Sequence, residues 1–332
     1  MPDQAEAAVD AINEVSGRHP GHRAAHAKGT LCTGRFAAAA AARELTRAAH
    51  MQGELVRATV RFSNGGGGPK VPDYAAEGRG MAVKLYLADG SRTDMVGLSL
   101  PVFFVRTPEE FIEFTRARKP DPKTGKPDMN RLGAWLGEHP EAGPAVQAAV
   151  AAKPPASYGT CRYHGIHAYR WVSAEGAERY VRFRWEPEAG EAALDAKEAR
   201  ERGPDYLQNE LRDRLGREAI GFRLVLQLAA ADDPVDDPTA AWPPERETVE
   251  AGRLEVTGLD RERERDGDVL VSTRSGWSTG SSSRTTPSCA FAPGRTRCPW
   301  SGGAAGRARR LRSADSWGRR RPRAGSGALP WR

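Results

Sequence analysis

Arg23-Ala24-Ala25-His26-Ala27-Lys28-Gly29 sets a histidine three residues after an arginine, beside small side chains that let the chain approach something flat. A lone histidine is more often a satisfied structural residue than a chemical one, so this stretch takes its meaning from the motifs C-terminal to it. Val60-Arg61-Phe62-Ser63-Asn64 brings a second arginine and a hydroxyl. Gly78-Arg79-Gly80-Met81-Ala82-Val83-Lys84-Leu85-Tyr86 comes next, and then Asp94-Met95-Val96-Gly97 runs into Pro101-Val102-Phe103-Phe104-Val105-Arg106.

Working outward, Ala8, Val9, Ile12 and Val15 recur at helical intervals and predict a short amphipathic helix over residues 5–15, ended by the His19-Pro20-Gly21 turn. The alanine-rich run from Phe36 to His50 predicts a second helix. Leu55 to Phe62 alternates apolar and polar and reads as a strand. Gly65-Gly66-Gly67-Gly68 is a loop; it lacks the Gly-Lys-Ser/Thr ending and the following helix of a phosphate-binding loop. Met81–Leu87 and Leu100–Val105 read as further strands, the latter apolar enough to be buried on both faces. Thr107-Pro108-Glu109-Glu110-Phe111 carries an N-cap, a first-turn proline and early acids, and the helix it opens puts Phe111 and Phe114 on one face. After a polar loop over 116–129, Leu132 to Ala152 is helical in pattern. Ile166–Val172 and Arg179–Trp185 form a predicted hairpin, a helix is expected around Asp205–Leu215, and a strand at Phe222–Leu228. Hairpins mixed with helices, without a βαβ rhythm, argue an α+β fold.

In that order and spacing the three motifs resemble the catalase family, and within it the short catalase-related peroxidases. Asp236-Asp237-Pro238-Thr239, Trp242-Pro243 and Gly252-Arg253-Leu254-Glu255-Val256 continue the match, so the resemblance covers about the first 260 residues. It implies a catalase-like antiparallel β-barrel with surrounding helices and haem (heme b) as cofactor, with a peroxide as substrate and a one-electron donor. Splitting a peroxide needs a base that takes one proton and returns it to the departing oxygen. The resemblance assigns that role to His26, with Ser63 fixing its tautomer through a hydrogen bond. Arg23 and Arg61 match positions that hold the haem propionates, where a permanently charged planar fork suits carboxylates. Phe103, Phe111 and Phe114 match aromatic positions lining the distal pocket and its access route. One departure bears on substrate: where the family places an Asn-Asn-Thr-Pro segment, this chain has Leu98-Ser99-Leu100-Pro101. An amide donor has become apolar, which disfavours rapid oxidation of a second hydrogen peroxide and favours bulkier organic hydroperoxides.

Charge divides the 332-residue chain in two. Residues 272–332 hold thirteen arginines, no lysine and one acid, Asp315; they carry +12 of a formal net +7, leaving −5 for residues 1–271. The high isoelectric point therefore belongs to the tail, and gives the folded body no reason to bind nucleic acid. Cys32, Cys161, Cys289 and Cys298 show neither zinc spacing nor a dense disulfide pattern. The N-terminus has no basic-then-apolar leader and no apolar run is long enough to span a bilayer, so a cytoplasmic protein is expected.

Residues 1–271 thus read as a catalase-like haem-binding core and 272–332 as an Arg/Ser/Gly-rich tail with the composition of a disordered segment. Val, Ile, Tyr, Lys and Glu are absent after Val271. The resemblance implies a tyrosine under the iron, four residues after an arginine, and no such pair exists past Gly252. Tyr74, Tyr86, Tyr163, Tyr169, Tyr180 and Tyr206 all lie in other contexts. A one-base frame slip near Ser272 would account for this: among the degenerate codons for Cys289–Trp300 is a set that, shifted by one base, reads Leu-Arg-Phe-Arg-Pro-Gly-Ala-Tyr-Ser-Val-Ser-Leu. The tyrosine then falls at Thr296 and its arginine at Ala292. Two functions are implied: a haem peroxidase reducing organic hydroperoxides and, weakly, hydrogen peroxide, or an inactive catalase-like scaffold whose basic tail binds anionic partners.

Overall fold

The structure is a computed structural model that describes residues 4–261, 270, 272 and 281–283. Its strands are β1 (Gly29–Ala38), β2 (Leu55–Asn64), β3 (Arg79–Tyr86), β4 (Arg92–Leu98), β5 (Tyr163–His164), β6 (Tyr169–Val172), β7 (Glu178–Pro187), β8 (Ile220–Leu228), β9 (Thr248–Leu259) and β10 (Ser281–Ser283). All pair antiparallel, in the order β10-β6-β7-β5-β4-β3-β2-β1-β9-β8, and a further β7–β8 pairing, with Trp185 opposite Leu224, closes the ring. Eight strands therefore form a barrel, while β6 continues the hairpin off β7 and carries β10 along its outer edge. This is the expected α+β antiparallel barrel, and closure leaves the eight strands no open edge.

The interior is a packed core. Val56, Ala58, Val60 and Phe62 alternate inward from β2 and meet Phe36 and Cys32 of β1, Met81, Val83 and Leu85 of β3, and Phe222, Leu224 and Trp185 from the far side. Phe62 stacks on Tyr158 with ring centroids 5.5 Å apart and lies 6.0 Å from both Tyr163 and Phe222. Thr59, Arg61 and Ser63, on the opposite face of β2, are buried as well. From Thr59 onward the strand is buried on both faces, so a second layer lies over it there, and that layer holds the site.

Helices α1 (Gln4–Ser16), α2 (Ala40–Leu45), α3 (Pro108–Ala117), α4 (Met129–Glu138), α5 (Gly143–Ala151), α6 (Ala196–Glu201) and α7 (Tyr206–Leu215) surround the barrel. A second core joins Ala8 and Ile12 of α1 to Phe111 and Phe114 of α3 and Trp135 of α4. The capping box at the start of α3 is complete: the Glu110 amide donates to the Thr107 hydroxyl at 3.2 Å, and the Thr107 amide donates to the Glu110 carboxylate at 3.3 Å.

Three expectations are corrected. Phe36–His50 is not one helix: Phe36 to Ala38 complete β1, α2 spans six residues, and a single tight turn covers Ala49–Met51. Alanine's helix propensity gives way because Phe36 is fully buried, paired with Val56 and Leu254, and packed edge-on against Trp185. Leu100–Val105 forms no strand; β4 ends at Leu98, and the segment is apolar because Phe103 and Val105 belong to the second core. Its Phe103 amide donates to the Pro238 carbonyl at 2.8 Å instead of to a neighbouring strand. Leu132–Ala152 is broken at His139 and Pro140 into α4 and α5, as a proline inside a helical pattern demands. The proposed tail, 272–332, lies outside the described residues apart from 272 and 281–283.

Candidate functional site

The segment between α1 and β1 crosses the mouth of the β2–β3 ladder. There His26 has φ 53°, the one non-glycine residue with a left-handed backbone among the described residues. That conformation costs about 1–2 kcal/mol for a residue with a Cβ, and it persists because backbone bonds impose it: the His26 amide donates to the Gly65 carbonyl at 3.3 Å and the Ala27 amide to Gly66 at 3.0 Å. The glycine run thus serves close approach, since a Cβ on Gly67 would collide with the Ala24 carbonyl oxygen.

The turned loop lays the His26 imidazole over the outer face of the barrel, with Nδ1 3.0 Å from the Ser63 hydroxyl. Ser63 lies directly across the ladder from Gly80. A Cβ at Gly80 would stand 2.8 Å from His26 Nδ1 and Cε1 and 2.9 Å from Ser63 Oγ, so the ring occupies the space that only glycine leaves. On the next strand Gly80 is opposite Leu98. The residue standing in the changed Leu98–Pro101 segment is therefore one strand away from the imidazole.

Arg23 and Arg61, both 8% exposed, line one cavity of about 290 Å³ with His22, Lys28 and Gln208. Arg61 Nη2 donates to the Ala27 carbonyl at 3.4 Å, and Arg23 Nη2 donates to the Leu270 carbonyl at 2.7 Å. Lys28 is neutralised behind the wall by Asp73 and Asp205, each at 2.8 Å. The two guanidiniums therefore give the cavity its positive character.

The phenylalanines form an adjoining cluster. Phe104, not among the expected pocket residues, is central to it: its ring centroid lies 4.2 Å from Phe103, 4.4 Å from Phe114 and 6.1 Å from Phe111. The cluster reaches the histidine loop through Ala24 and Ala25. His26, Ser63, Arg23 and Arg61 thus come together on the barrel wall, and Phe103, Phe111 and Phe114 abut them as one apolar group.

A buried hub beneath the cavity has almost no signature in the sequence. Asp73, fully buried, takes the Lys28 ammonium at 2.8 Å, the Asn64 amide at 2.8 Å and the Leu207 backbone N–H at 2.8 Å. Asn64 in turn accepts from the Tyr158 hydroxyl at 2.7 Å, and Gln208 of the cavity wall donates to that hydroxyl at 3.0 Å. Only Asn64, next to Ser63, gave a sequence signal.

An antiparallel barrel with a strained imidazole, its hydroxyl partner and two buried guanidiniums on its outer wall defines the catalase-like class. A family model described as catalase matches residues 6–257. The chain is 42% identical over 271 residues to a catalase-related peroxidase of Mycolicibacterium paratuberculosis, covering 81% of this chain and 84% of that protein. It is 33% identical over 256 residues to a catalase-related peroxidase of Synechococcus elongatus, covering 77% and 75%. A fungal catalase crystal structure superposes with a TM-score of 0.75 at 24% identity, over 82% of this chain and 57% of that one. The chain belongs to the catalase family, in its catalase-related peroxidase branch.

The family's cofactor is haem, and one half of the site suits it. Gly80 leaves the space in which the His26 imidazole sits, and two buried guanidiniums face one cavity as two carboxylates require. The donor expected on the other side, a tyrosine in catalases, does not fit any tyrosine present. Tyr158 donates to Asn64, Tyr163 to the Tyr158 carbonyl at 3.0 Å and Tyr206 to the Pro155 carbonyl at 2.7 Å. Burial pushes the phenols of Tyr158 and Tyr163 well above the usual range and that of Tyr206 up to about 12, the wrong direction for a tyrosinate. Tyr169 fills the core beside Phe183, Tyr74 packs partly buried against it, and Tyr180 sits in the β6–β7 hairpin opposite Arg170. Tyr86 shares Gly80's face of β3 but lies six residues along it, about 20 Å away.

Proposed function

We propose that this chain is built as a haem-dependent peroxidase, with heme b as its cofactor, that reduces organic hydroperoxides in preference to hydrogen peroxide. The observation that carries the reading is the His26–Ser63 pair, a non-glycine residue held in a left-handed conformation so that its ring lies over Gly80 with Nδ1 3.0 Å from a hydroxyl. Strain retained at one residue marks a functional position. Bound haem supplies the redox chemistry. The chain's own contribution is proton handling: Nε2 of His26 accepts the hydroperoxide proton and returns it to the oxygen that leaves as alcohol, while Ser63 Oγ on Nδ1 keeps the ring in one tautomer. Arg23 and Arg61 hold two carboxylates by charge-assisted hydrogen bonds.

Selectivity is set by Leu98. Placed across from Gly80, it presents an isobutyl group where an amide would orient the second oxygen of hydrogen peroxide, and it packs with the Phe104 cluster. An apolar wall disfavours the small polar peroxide and accommodates an alkyl one. The test compares, on haem-reconstituted protein, cumene hydroperoxide turnover with a dye donor against oxygen evolution from hydrogen peroxide. Faster alkyl hydroperoxide turnover is expected, and oxygen evolution that greatly outpaces it refutes the reading. Leu98→Asn should shift the ratio about tenfold toward hydrogen peroxide, the scale of one buried hydrogen bond.

A further inference from the structure

We infer that Arg79 is a positioning residue for His26: its buried guanidinium shapes the loop over residues 65–78, and that loop imposes the backbone turn that lays the imidazole beside Ser63. The inference rests on His26 being the acid–base residue proposed above.

Arg79 opens β3 beside Gly80 and is 2% exposed. A cation buried this deeply ordinarily sits against a carboxylate, because its lost hydration must be replaced. Its partners here are instead four backbone carbonyls: Nη1 donates to Glu77 at 2.5 Å and Gly78 at 3.4 Å, and Nη2 donates to Asp73 at 2.6 Å and Ala75 at 3.2 Å. The Asp73 carboxylate is held by Lys28, Asn64 and the Leu207 N–H. A planar fork of several donors suits four acceptors on one short turn. All four lie in the second half of the loop, so the guanidinium fixes that half.

The first half is built on the second. The Gly65 amide donates to the Gly78 carbonyl at 2.8 Å and the Gly66 amide to the Glu77 carboxylate at 3.1 Å. A Cβ on Gly65 would stand 2.9 Å from the Gly78 carbonyl oxygen and one on Gly66 2.2 Å from Glu77 Oε1, so the two halves are in direct contact. The carbonyls of Gly65 and Gly66 then accept the amides of His26 and Ala27. Glu77 and Gly78 are thus shared between the guanidinium and the glycines that turn the histidine. The anchor is itself fixed from the other side: Arg79 is opposite Asn64 on β2, its amide donates to Ser99 Oγ at 2.8 Å and its carbonyl accepts the Ser99 amide at 2.8 Å. Without the guanidinium the loop loses its shape, and His26 relaxes from its unfavourable φ of 53° and leaves Ser63.

The experiment records the 15N signals of the His26 ring by NMR in the full chain with no haem added, at about pH 8, where an imidazole is neutral. The signals are assigned by their loss in His26→Gln. One fixed tautomer should give two well-separated signals, one from a protonated and one from a bare nitrogen. In Arg79→Met the two should draw together, as in Ser63→Ala, because both variants free the ring. Leu224→Ala, which loosens the barrel core on β8, should lower the unfolding midpoint and leave the His26 signals apart. Unchanged signals in a folded Arg79→Met chain overturn the inference, and so does a Leu224→Ala chain whose His26 signals move as far. Where Arg79→Met does not fold, Glu77→Ala decides in its place, since it removes only the acceptor of the Gly66 amide: convergence supports the inference and unchanged signals overturn it. A chain that shows these ring signals but fails the hydroperoxide assay overturns the proposed function and leaves the positioning of His26 standing.

Discussion

His26 has two separate means of support, and each can be removed without touching the other. Ser63 Oγ meets Nδ1 from β2, and Gly80 leaves the ring its space on β3. On the proposed mechanism Ser63→Ala removes tautomer control alone, so turnover of an alkyl hydroperoxide should fall about tenfold with a shifted pH profile, while His26→Gln should cost about 10²–10⁴-fold, the usual share of general acid–base catalysis. Gly80→Ala pushes a methyl against both Nδ1 and the Ser63 hydroxyl, so it should approach the His26→Gln value while circular dichroism stays unchanged. Steady-state rates across pH for the three variants check this. A rate loss in the Ser63 and Gly80 variants that came with a lost circular-dichroism signal would mean that these residues act by folding alone.

At the scale of elements, β2 joins the two halves of the molecule. One face fills the barrel with Val60 and Phe62; the other carries Arg61 and Ser63 into the site. Helix α3 covers the neighbouring ground, and its start is tied by the Thr107–Glu110 capping box, with the Arg106 amide also donating to Glu110 at 2.7 Å. Thr107→Ala should lower stability by about 1 kcal/mol in urea unfolding, the ordinary value of a lost N-cap. Both caps and alternating strands are short-range patterns, which is why α1, α3, α7, β2, β3, β7 and β8 were legible from their residues. β1 was not, because its alanines say helix and only pairing on both edges makes it a strand.

Across the whole molecule, stability should depend on two buried polar features. Asp73 gathers Lys28, Asn64 and the Leu207 N–H, so Asp73→Ala leaves the buried ammonium only the exposed Asp205 and orphans the Asn64 and Leu207 donors; it should cost about 3 kcal/mol by denaturant unfolding. Burial of His50, 1% exposed, pushes its pKa from 6.5 down to about 4, and His164 is lowered to about 4 by burial and by Arg162 and Arg184. Their folded forms are neutral, so between pH 6.5 and 4 the unfolded chain binds more protons and stability falls as pH falls; above 6.5 these groups contribute no slope. For His50 the loss reaches about 3 kcal/mol at the acid end. Unfolding free energies from pH 4 to 7 should show this decline, and His50→Leu should flatten part of it. An unchanged slope in the variant would assign the decline to other groups.

The order of the motifs by itself determined the family, the barrel and the four polar residues that meet on its wall, because Arg23, His26, Arg61 and Ser63 are each marked by near neighbours in the chain. Likewise the absence, past Gly252, of a tyrosine four residues after an arginine is a property of the sequence alone. Only the tertiary structure decided that Gly80 lies under the ring, that Leu98 stands across from it, and that Phe104 is central to the apolar cluster. It alone brought Asp73 to Leu207, 134 residues away, and Leu270 to Arg23, 247 residues away. Register and long-range burial join residues that share no local pattern, so nothing short of the closed barrel could reveal them.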